Sequence, residues 1–125
     1  MKKPKAINYP FKVNHKKLWA LNIPTEEIEI SELGFNFDIP YLEKEGTDDW
    51  NLSINQLLEN LEIEPSHANK INKADLSYPI DLYFYTNEWI ILDGVHRLAK
   101  ALLLKNKTIL VRRITEKNID KIKNS

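Results

Sequence analysis

The segment over residues 89–114 constrains the fold of this chain more than any other. An apolar run at residues 89–92 ends at Asp93 and Gly94, and leucine and alanine then recur at helical spacing. Residues 108–114 alternate and are rich in β-branched side chains, as strands are. The pattern predicts a strand, a tight glycine turn, a helix and a second strand, joined without long loops. If the helix is a right-handed crossover, the two strands that flank it run parallel.

The rest of the chain predicts short elements of both kinds, with changes of period between them. They are an edge strand within residues 7–13, a helical turn at 15–21, a strand at 28–30, a long surface loop at 35–52, helices at 54–61 and 66–75, a hairpin formed by 80–85 and 89–92, and a terminal helix from 115. With 125 residues, 42% of them hydrophobic, the chain can bury one sizeable core. We therefore expect an α+β fold with a mixed sheet, in a single domain over residues 1–125.

Charge is balanced overall and uneven along the chain. The 18 basic and 18 acidic residues give a formal net charge of zero, which argues against a protein that coats nucleic acid. Residues 1–25 carry six lysines and no acid, residues 26–64 carry twelve acids and one lysine, and residues 65–125 carry eleven bases and six acids. Such blocks predict an acidic surface beside basic ones, which describes a solvated surface before it describes a binding site.

Several classes of protein and site are excluded by what the sequence lacks. There is no cysteine, which excludes disulfides, thiolate metal sites and cysteine nucleophiles. No stretch approaches the roughly 18 consecutive apolar residues of a membrane span, and no apolar signal-peptide run follows the basic start. His15, His67 and His96 are too scattered to form a metal site. We expect a soluble cytoplasmic protein without a membrane partner.

The predicted helix after Gly94 begins with two cationic side chains. A helix that starts directly after a glycine turn leaves its first backbone N–H groups without partners, which makes an anion-binding site. His96 and Arg97 lie in that first turn, where the positive end of the helix dipole disfavours a cation by about 0.3–1 kcal/mol. A phosphate bound by the backbone amides, His96 and Arg97 would compensate them. Alternatively, Asp93 caps the helix or pairs with Arg97, and no ligand is needed.

Two further sets of side chains are assigned from their positions in the sequence. Arg112 and Arg113 point to opposite faces of a predicted strand, so only one of them can face the turn, and Arg113 is as good a candidate as Arg112. Trp19, Trp50 and Trp89 lie in no alternation of basic and aromatic residues. We therefore expect the tryptophans to pack in the core or at its rim and not to stack on bases.

The strand, turn and helix also carry a family resemblance. Residues 91–101 (ILDGVHRLAKA), followed by residues 108–112 (TILVR), resemble the signature of the ParB/sulfiredoxin-like superfamily, in which a strand leads into a G-x-[HR]-R turn and a helix. Residues 27–33 resemble its opening strand, and the resemblance is strongest over residues 78–114. Residues 35–77 match no family motif and form a loop and helical insertion, where a substrate lid would lie. The resemblance implies that the turn binds the phosphates of a nucleotide such as ATP or CTP.

The chain departs from the family pattern in ways that narrow its function. Val95 stands where sulfiredoxins have a cysteine, so sulfinic-acid reduction is excluded. Chromosome-segregation members continue into a helix-turn-helix domain after the last strand, and we expect no partitioning role here. The spelling Asp-Gly-x-His-Arg is closest to the free serine kinases of the superfamily, which implies a glutamate near the opening strand as the base. Glu29 and Glu32 are the candidates, and a solvated strand face is the alternative.

The leading hypothesis is a domain that binds nucleoside triphosphates, with NTPase activity or phosphotransfer to a small-molecule acceptor left open. The residues predicted to bind the nucleotide are Asp93, Gly94, Val95, His96, Arg97 and Arg113, and those predicted to act in catalysis are Asp93, Glu29 and Glu32. Mg²⁺ is expected to arrive with the nucleotide and to contact Asp93, with Asp81 as a second choice. The alternatives are a DNA-binding or nuclease module and a non-catalytic domain that binds a ligand or a partner.

Overall fold

The computed structural model describes residues 3–124, so Met1, Lys2 and Ser125, at the two ends of the expected domain, lie outside it. The described residues form helices and one four-stranded sheet, which confirms the predicted α+β class. The helices are α1 (His15–Ala20), α2 (Ile54–Glu59), α3 (Pro65–Lys73), α4 (Val95–Leu103) and α5 (Glu116–Ile122), and the strands are β1 (Glu26–Glu29), β2 (Ile80–Tyr85), β3 (Glu88–Asp93) and β4 (Thr108–Ile114). Within residues 3–124, no helix is both long and apolar enough to cross a membrane.

The sheet is mixed, as predicted, and its strand order is β1-β4-β2-β3. β2 and β4 are parallel, whereas β3 is antiparallel to β2, so the prediction that β3 and β4 run parallel is wrong. Asp93 pairs with Asp81 and Val111 pairs with Ile80, which places the end of β3 near the start of β2, at the end of the sheet where β4 also begins. Both ends of α4 therefore join the same end of the sheet. The nine residues of α4, about 13 Å long, cross the strands sideways instead of returning the chain to the other end.

The local signals in the sequence account for most of the elements. Ser53 and Gln56 form the predicted capping box at the start of α2, and Thr115 and Asn118 form another at the start of α5. The predicted hairpin, α4 and β4 form with bounds close to those expected. The helix that Ser66 was expected to cap and that was expected to run through Asp75 instead begins with Pro65 in its first turn and ends at Lys73. Proline is well tolerated there because the first helical N–H groups have no partner within the helix.

The strand predicted within residues 7–13 does not form. Lys5–Ile7 is a short 3-10 helix, and the segment pairs only through an isolated bridge at Val13. Pro10 has no N–H group to donate to a ladder. The rings of Tyr9 and Phe11 instead pack at 6.2 and 5.2 Å, between ring centres, against Tyr83 on one face of the sheet. The period of two in this segment therefore reflects aromatic packing and not strand pairing.

The sheet separates two apolar clusters. The face covered by α4 packs Ile80, Leu82, Leu98, Ala101 and Val111, all of them fully buried. The opposite face is covered by α1, α5 and the N-terminal segment, and its fully buried members include Leu18, Ile90, Ile114 and Ile122. Burying each of these larger side chains contributes about 1.5–3 kcal/mol. The turn between β3 and α4 is thus held from both faces of the sheet.

Candidate functional site

The turn between β3 and α4 requires glycine for two reasons. Gly94 has φ 111° and ψ 20°, a left-handed conformation that side chains with a Cβ disfavour. A Cβ at this position would lie 3.0 Å from Cγ1 of Ile80 and 3.1 Å from Nε and Nη2 of Arg97. The guanidinium group of Arg97 therefore folds back against the turn, in space that only a missing side chain provides.

Asp93 pairs with Arg97 and does not cap the helix. Its Oδ2 accepts hydrogen bonds from Nη2 of Arg97 at 3.1 Å and from Nε1 of Trp19 at 2.9 Å. No side chain caps α4 at Gly94. Residues 94–97, which carry the first N–H groups of α4, line a cavity of about 540 Å³, and no side chain caps these groups. From the sequence, Asp93 could either cap the helix or pair with Arg97, and in the structure it pairs with Arg97.

Helix α3 supplies two more cations to this cavity. Lys70 and Lys73 line it, and no hydrogen bond or ion pair joins either ammonium group to another described residue. α3 is held beside α4 by Nζ of Lys100, which donates to the carbonyl oxygens of Asn72 at 3.1 Å and Ala74 at 2.7 Å. The segment without a family motif thus forms one wall of the candidate site.

The remaining carboxylate of this wall is already engaged. Asp75 lines the same cavity, and its Oδ1 accepts hydrogen bonds from the backbone N–H of Ser77 at 2.9 Å and from the Ser77 hydroxyl at 2.7 Å. These hydrogen bonds hold the pKa of Asp75 below its usual value. Asp93 and Asp75 are therefore both tied to local partners, whereas Lys70 and Lys73 are not.

His96 is neutral near pH 7 and does not act as a cation here. Nε2 of His67 lies 2.7 Å from the carbonyl oxygen of Glu43, which can only accept, so this nitrogen carries a proton. In a neutral pair, Nδ1 of His67 then accepts from Nε2 of His96 at 2.9 Å. Burial, with smaller contributions from His67 and Lys70, lowers the pKa of His96 to about 4. Of the two first-turn cations expected from the sequence, only Arg97 is charged.

A second cavity of about 540 Å³ shares Asp93 and Arg97 with the first and is lined by a buried ion pair. Nε of Arg112 donates to Oδ1 of Asp81 at 2.7 Å. The same guanidinium donates from Nη2 to the carbonyl oxygen of Leu18 at 2.9 Å and from Nη1 to that of Leu21. Burial raises the pKa of Asp81, and the hydrogen bond from Arg112 opposes that shift. Arg112 therefore ties the end of α1 to the sheet.

Three residues predicted for the site lie elsewhere. Glu29 and Glu32 form a capping box on the 3-10 helix Ile30–Asn36, where the backbone N–H of Glu29 donates to Oε2 of Glu32 at 3.2 Å. Glu29 lines a different cavity beside Lys107, beyond the far end of α4. Arg113 donates to Glu26 at 3.0 Å, and its guanidinium lies 4.7 Å from the ring centre of Trp89. The structure brings together the residues from Asp93 to Arg97, without these three.

Two aromatic residues of the site were not predicted from the sequence. The prediction that the tryptophans pack in the core or its rim is wrong for Trp19, whose surface is 63% exposed. Tyr78 is 62% exposed, and both residues line both cavities together with Asp93 and Arg97. Trp19 lies 74 residues from Asp93 in the chain, so no local pattern connects them. The spacing of Lys70 and Lys73 indicates only that both lie on one face of a helix, because residues three apart share a helix face.

The candidate site contains no ready-made metal centre. Among residues 3–124, no group of three or more His, Cys, Asp or Glu side chains could hold a metal ion. Asp81 and Asp93 are each paired with an arginine, and the Asp93 side chain keeps 25% of its surface exposed. An ion that arrives with a phosphorylated ligand needs only one or two protein carboxylates. Asp93 fits that limited role better than the buried Asp81.

Comparisons of the chain with protein-family models, with curated proteins and with solved structures found no match. The family resemblance of the strand-turn-helix motif therefore stays a prediction. Function has to be inferred from the turn at Gly94, the two cavities beside it and the side chains that line them.

Proposed function

We propose that this chain binds the phosphate groups of a nucleotide at the start of α4. The observation that carries the proposal is that one cavity of about 540 Å³ is lined by the uncapped first turn of α4 and by Lys70 and Lys73, which have no partner among residues 3–124. Backbone N–H groups and the helix dipole favour an anion there, and nearby ammonium groups add to the attraction. The volume lies in the range of about 300–1,000 Å³ that is typical of small-molecule sites.

Arg97 would bind phosphate in competition with its ion pair to Asp93. A guanidinium can match two phosphate oxygens at once, which makes charge-assisted pairs of this kind strong. Asp93 engages Nη2 of Arg97 at 3.1 Å, so the carboxylate and a phosphate compete for the positive charge of this guanidinium. His96 contributes its backbone N–H, because its neutral ring donates its one proton to His67. The cationic contribution therefore comes from Arg97, Lys70 and Lys73.

A Mg²⁺ ion carried by the nucleotide would supply charge compensation for the phosphate oxygens. Asp93 is the residue best placed to contact it, since its carboxylate is partly exposed beside the turn. If Asp93 contacts this ion, its carboxylate interacts less with Arg97, and the guanidinium becomes available to the phosphates. We therefore expect nucleotide affinity to be higher with Mg²⁺ than without it.

Catalytic turnover of a bound nucleotide would need a further group that the turn does not provide. Hydrolysis of a nucleoside triphosphate, or phosphotransfer to an acceptor, requires a group that orients or deprotonates the nucleophile. Glu29 and Glu32 cap a 3-10 helix away from the turn. Asp93 is the predicted catalytic residue that lies at the turn, so Asp93→Asn is the variant in which turnover should be assayed.

Calorimetric titration with ATP and CTP, with and without Mg²⁺, tests the proposal. Arg97→Ala is expected to weaken nucleotide binding about 10- to 100-fold, because a charge-assisted hydrogen bond is worth about 1.5–3 kcal/mol. Lys70→Ala combined with Lys73→Ala should weaken it by a smaller factor, since exposed lysines contribute less. Arg113→Ala is the matched control, because it removes an arginine that lines neither cavity.

Two results would contradict nucleotide binding at the turn. One is the absence of binding to the wild-type protein at millimolar nucleotide with and without Mg²⁺. The other is equal weakening by Arg97→Ala and Arg113→Ala, which would place the ligand elsewhere. Binding to DNA that depends steeply on salt and survives Arg97→Ala would favour the nucleic-acid alternative instead.

A further inference from the structure

Two exposed aromatic side chains line the same cavities as the ion pair of the candidate site. Trp19 and Tyr78 have 63% and 62% of their surfaces exposed, and each lines both cavities. Asp93 and Arg97 also line both cavities, and we call the two cavities that share these four residues the groove. A groove lined by an ion pair and by aromatic rings fits a ligand that has both an anionic part and a planar ring.

The indole of Trp19 is exposed and yet held in a fixed orientation. Its Nε1 donates to Oδ2 of Asp93 at 2.9 Å, which anchors one edge of the ring. The backbone on both sides of it is anchored too, because Arg112 donates to the carbonyl oxygens of Leu18 and Leu21. A ring held in this way loses little conformational freedom when it stacks on a ligand, so such stacking is favourable.

We propose that Trp19 and Tyr78 bind the base of the nucleotide, so that the site selects nucleotides over inorganic polyphosphate. This inference rests on the proposed function. Lysines, Arg97 and helix amides attract any phosphate, and they cannot explain why two large aromatic surfaces border the same groove. Stacking on an aromatic side chain is tolerant of base identity, so ATP and CTP are both expected to bind. The hydrogen bond from Trp19 to Asp93 links the ring to the phosphate end through Arg97.

The experiment compares ATP with inorganic tripolyphosphate, which carries the same phosphates without a base. In Trp19→Ala, and separately in Tyr78→Ala, we expect ATP affinity to fall about 5- to 100-fold, the range that aromatic stacking provides. Tripolyphosphate affinity should change by less than about three-fold in the same variants. Phe35→Ala is the control, because Phe35 is 45% exposed and lines neither cavity.

Trp19→Phe separates the ring from its hydrogen bond and guards against loss of folding. It keeps an aromatic face and removes the donor to Asp93, so ATP affinity should stay well above that of Trp19→Ala. In the wild-type protein, ATP should quench a part of the tryptophan fluorescence that is absent in Trp19→Phe, and tripolyphosphate should quench it much less.

The outcomes separate this inference from the proposed function. If both alanine variants bind ATP as the wild type does, while Arg97→Ala weakens it, the base lies elsewhere and the inference is wrong, although phosphate binding stands. If ATP and tripolyphosphate affinities fall together in Trp19→Ala, the ring acts on the phosphate site and the inference is equally wrong. If neither ligand binds the wild-type protein, the proposed function fails and the inference fails with it.

Discussion

At the scale of single residues, Asp93 controls whether Arg97 is available to an anion. Its carboxylate holds the guanidinium at 3.1 Å and also anchors Trp19 at 2.9 Å. In a protein that binds phosphate at this turn, the carboxylate is an internal competitor of the ligand. Its removal should therefore have an effect opposite in sign to the removal of Arg97.

Asp93→Asn is expected to raise the affinity for nucleotide in the absence of Mg²⁺ about five- to tenfold. The amide cannot form an ion pair, so Arg97 is freed and the repulsion between carboxylate and phosphate is lost. The gain from adding Mg²⁺ should shrink in the variant. Calorimetry with and without EDTA measures both effects. Weaker binding without Mg²⁺ would show that Asp93 acts mainly by positioning Trp19 and Arg97, which would contradict the competition.

His96 makes the stability of the fold depend on pH. Its pKa in the folded chain, about 4, lies below the ordinary value of 6.5, so the unfolded chain binds the proton more tightly. The stabilisation is fully present above pH 6.5 and is lost as the pH falls toward 4. We expect the free energy of unfolding to fall by about 1–2 kcal/mol, which is less than the pKa shift alone would give because the ring is partly exposed.

Urea unfolding of the wild type and of His96→Gln at pH 7.5 and pH 4.5 measures this contribution. The glutamine variant should lose less stability between the two pH values, because it cannot take up the proton. Other titrating groups, among them Asp81 and Asp75, are common to both proteins and cancel in the comparison. Identical pH dependence of the two proteins would mean that His96 is not desolvated as described.

Gly94 should be the least replaceable residue of the turn. Gly94→Ala forces a side chain into a left-handed conformation and against Ile80 and Arg97, and we expect a loss of about 1–3 kcal/mol in unfolding free energy. Gly34→Ala is the matched control, since no atom lies within 4 Å of its Cβ position. Denaturant unfolding compares the two. Equal stability of the two variants would contradict the strained turn.

At the scale of elements, α1 depends on one buried guanidinium for its position. Arg112 contacts Asp81 on β2 and the carbonyl oxygens of Leu18 and Leu21. A lysine has a single ammonium group and cannot satisfy all three acceptors. Arg112→Lys should therefore leave buried acceptors unpaired and lower the unfolding free energy by about 2 kcal/mol.

The same variant should also loosen Trp19, which α1 carries to the groove, so the quenching of its fluorescence by ATP should weaken. Arg113→Lys is the control, because Arg113 forms a half-exposed pair with Glu26 and such pairs contribute little. The free energy of unfolding of Arg113→Lys should differ from that of the wild type by less than about 0.5 kcal/mol. A larger loss in Arg113→Lys than in Arg112→Lys would contradict the role given to Arg112.

The elements that the sequence predicts well are those specified by neighbours in the chain. Capping boxes at Ser53 and Thr115 fix the starts of α2 and α5, and the spacing of leucine and alanine fixes α4. The relative direction of β3 and β4 is set by where β2 inserts, which is a long-range choice that no local pattern records. The period of two at residues 7–13 has a second explanation in aromatic packing, and there local reasoning fails.

At the scale of the whole molecule, the acidic middle segment of the chain contributes no carboxylate to the candidate site, and the first cavity is lined by Lys70, Lys73 and Arg97 against Asp75 and Asp93. Both cavities beside Gly94 are lined by residues from the basic segments 1–25 and 65–125, with Leu42 as the one contribution from residues 26–64. None of the twelve acids in that middle segment lines either cavity. A net charge of zero therefore does not oppose an anion site.

Only a part of the candidate site could be predicted from the sequence. The run from Asp93 to Arg97 is local, so its strand-turn-helix geometry could be predicted. Trp19 and Lys70 reach it through the docking of α1 and α3, which depends on Arg112, Lys100 and the histidine pair. Side chains brought in by tertiary contacts leave no periodic signal, and for this reason the aromatic wall was missed.

The most direct test of the central claim is an amide correlation spectrum of ¹⁵N-labelled protein titrated with ATP and Mg²⁺. Phosphate binding at the start of α4 predicts the largest shifts at the backbone N–H groups of Gly94, Val95, His96 and Arg97, with smaller shifts on α3 near Lys70. Saturable shifts confined to other parts of the chain, or none at millimolar ATP, would contradict the account.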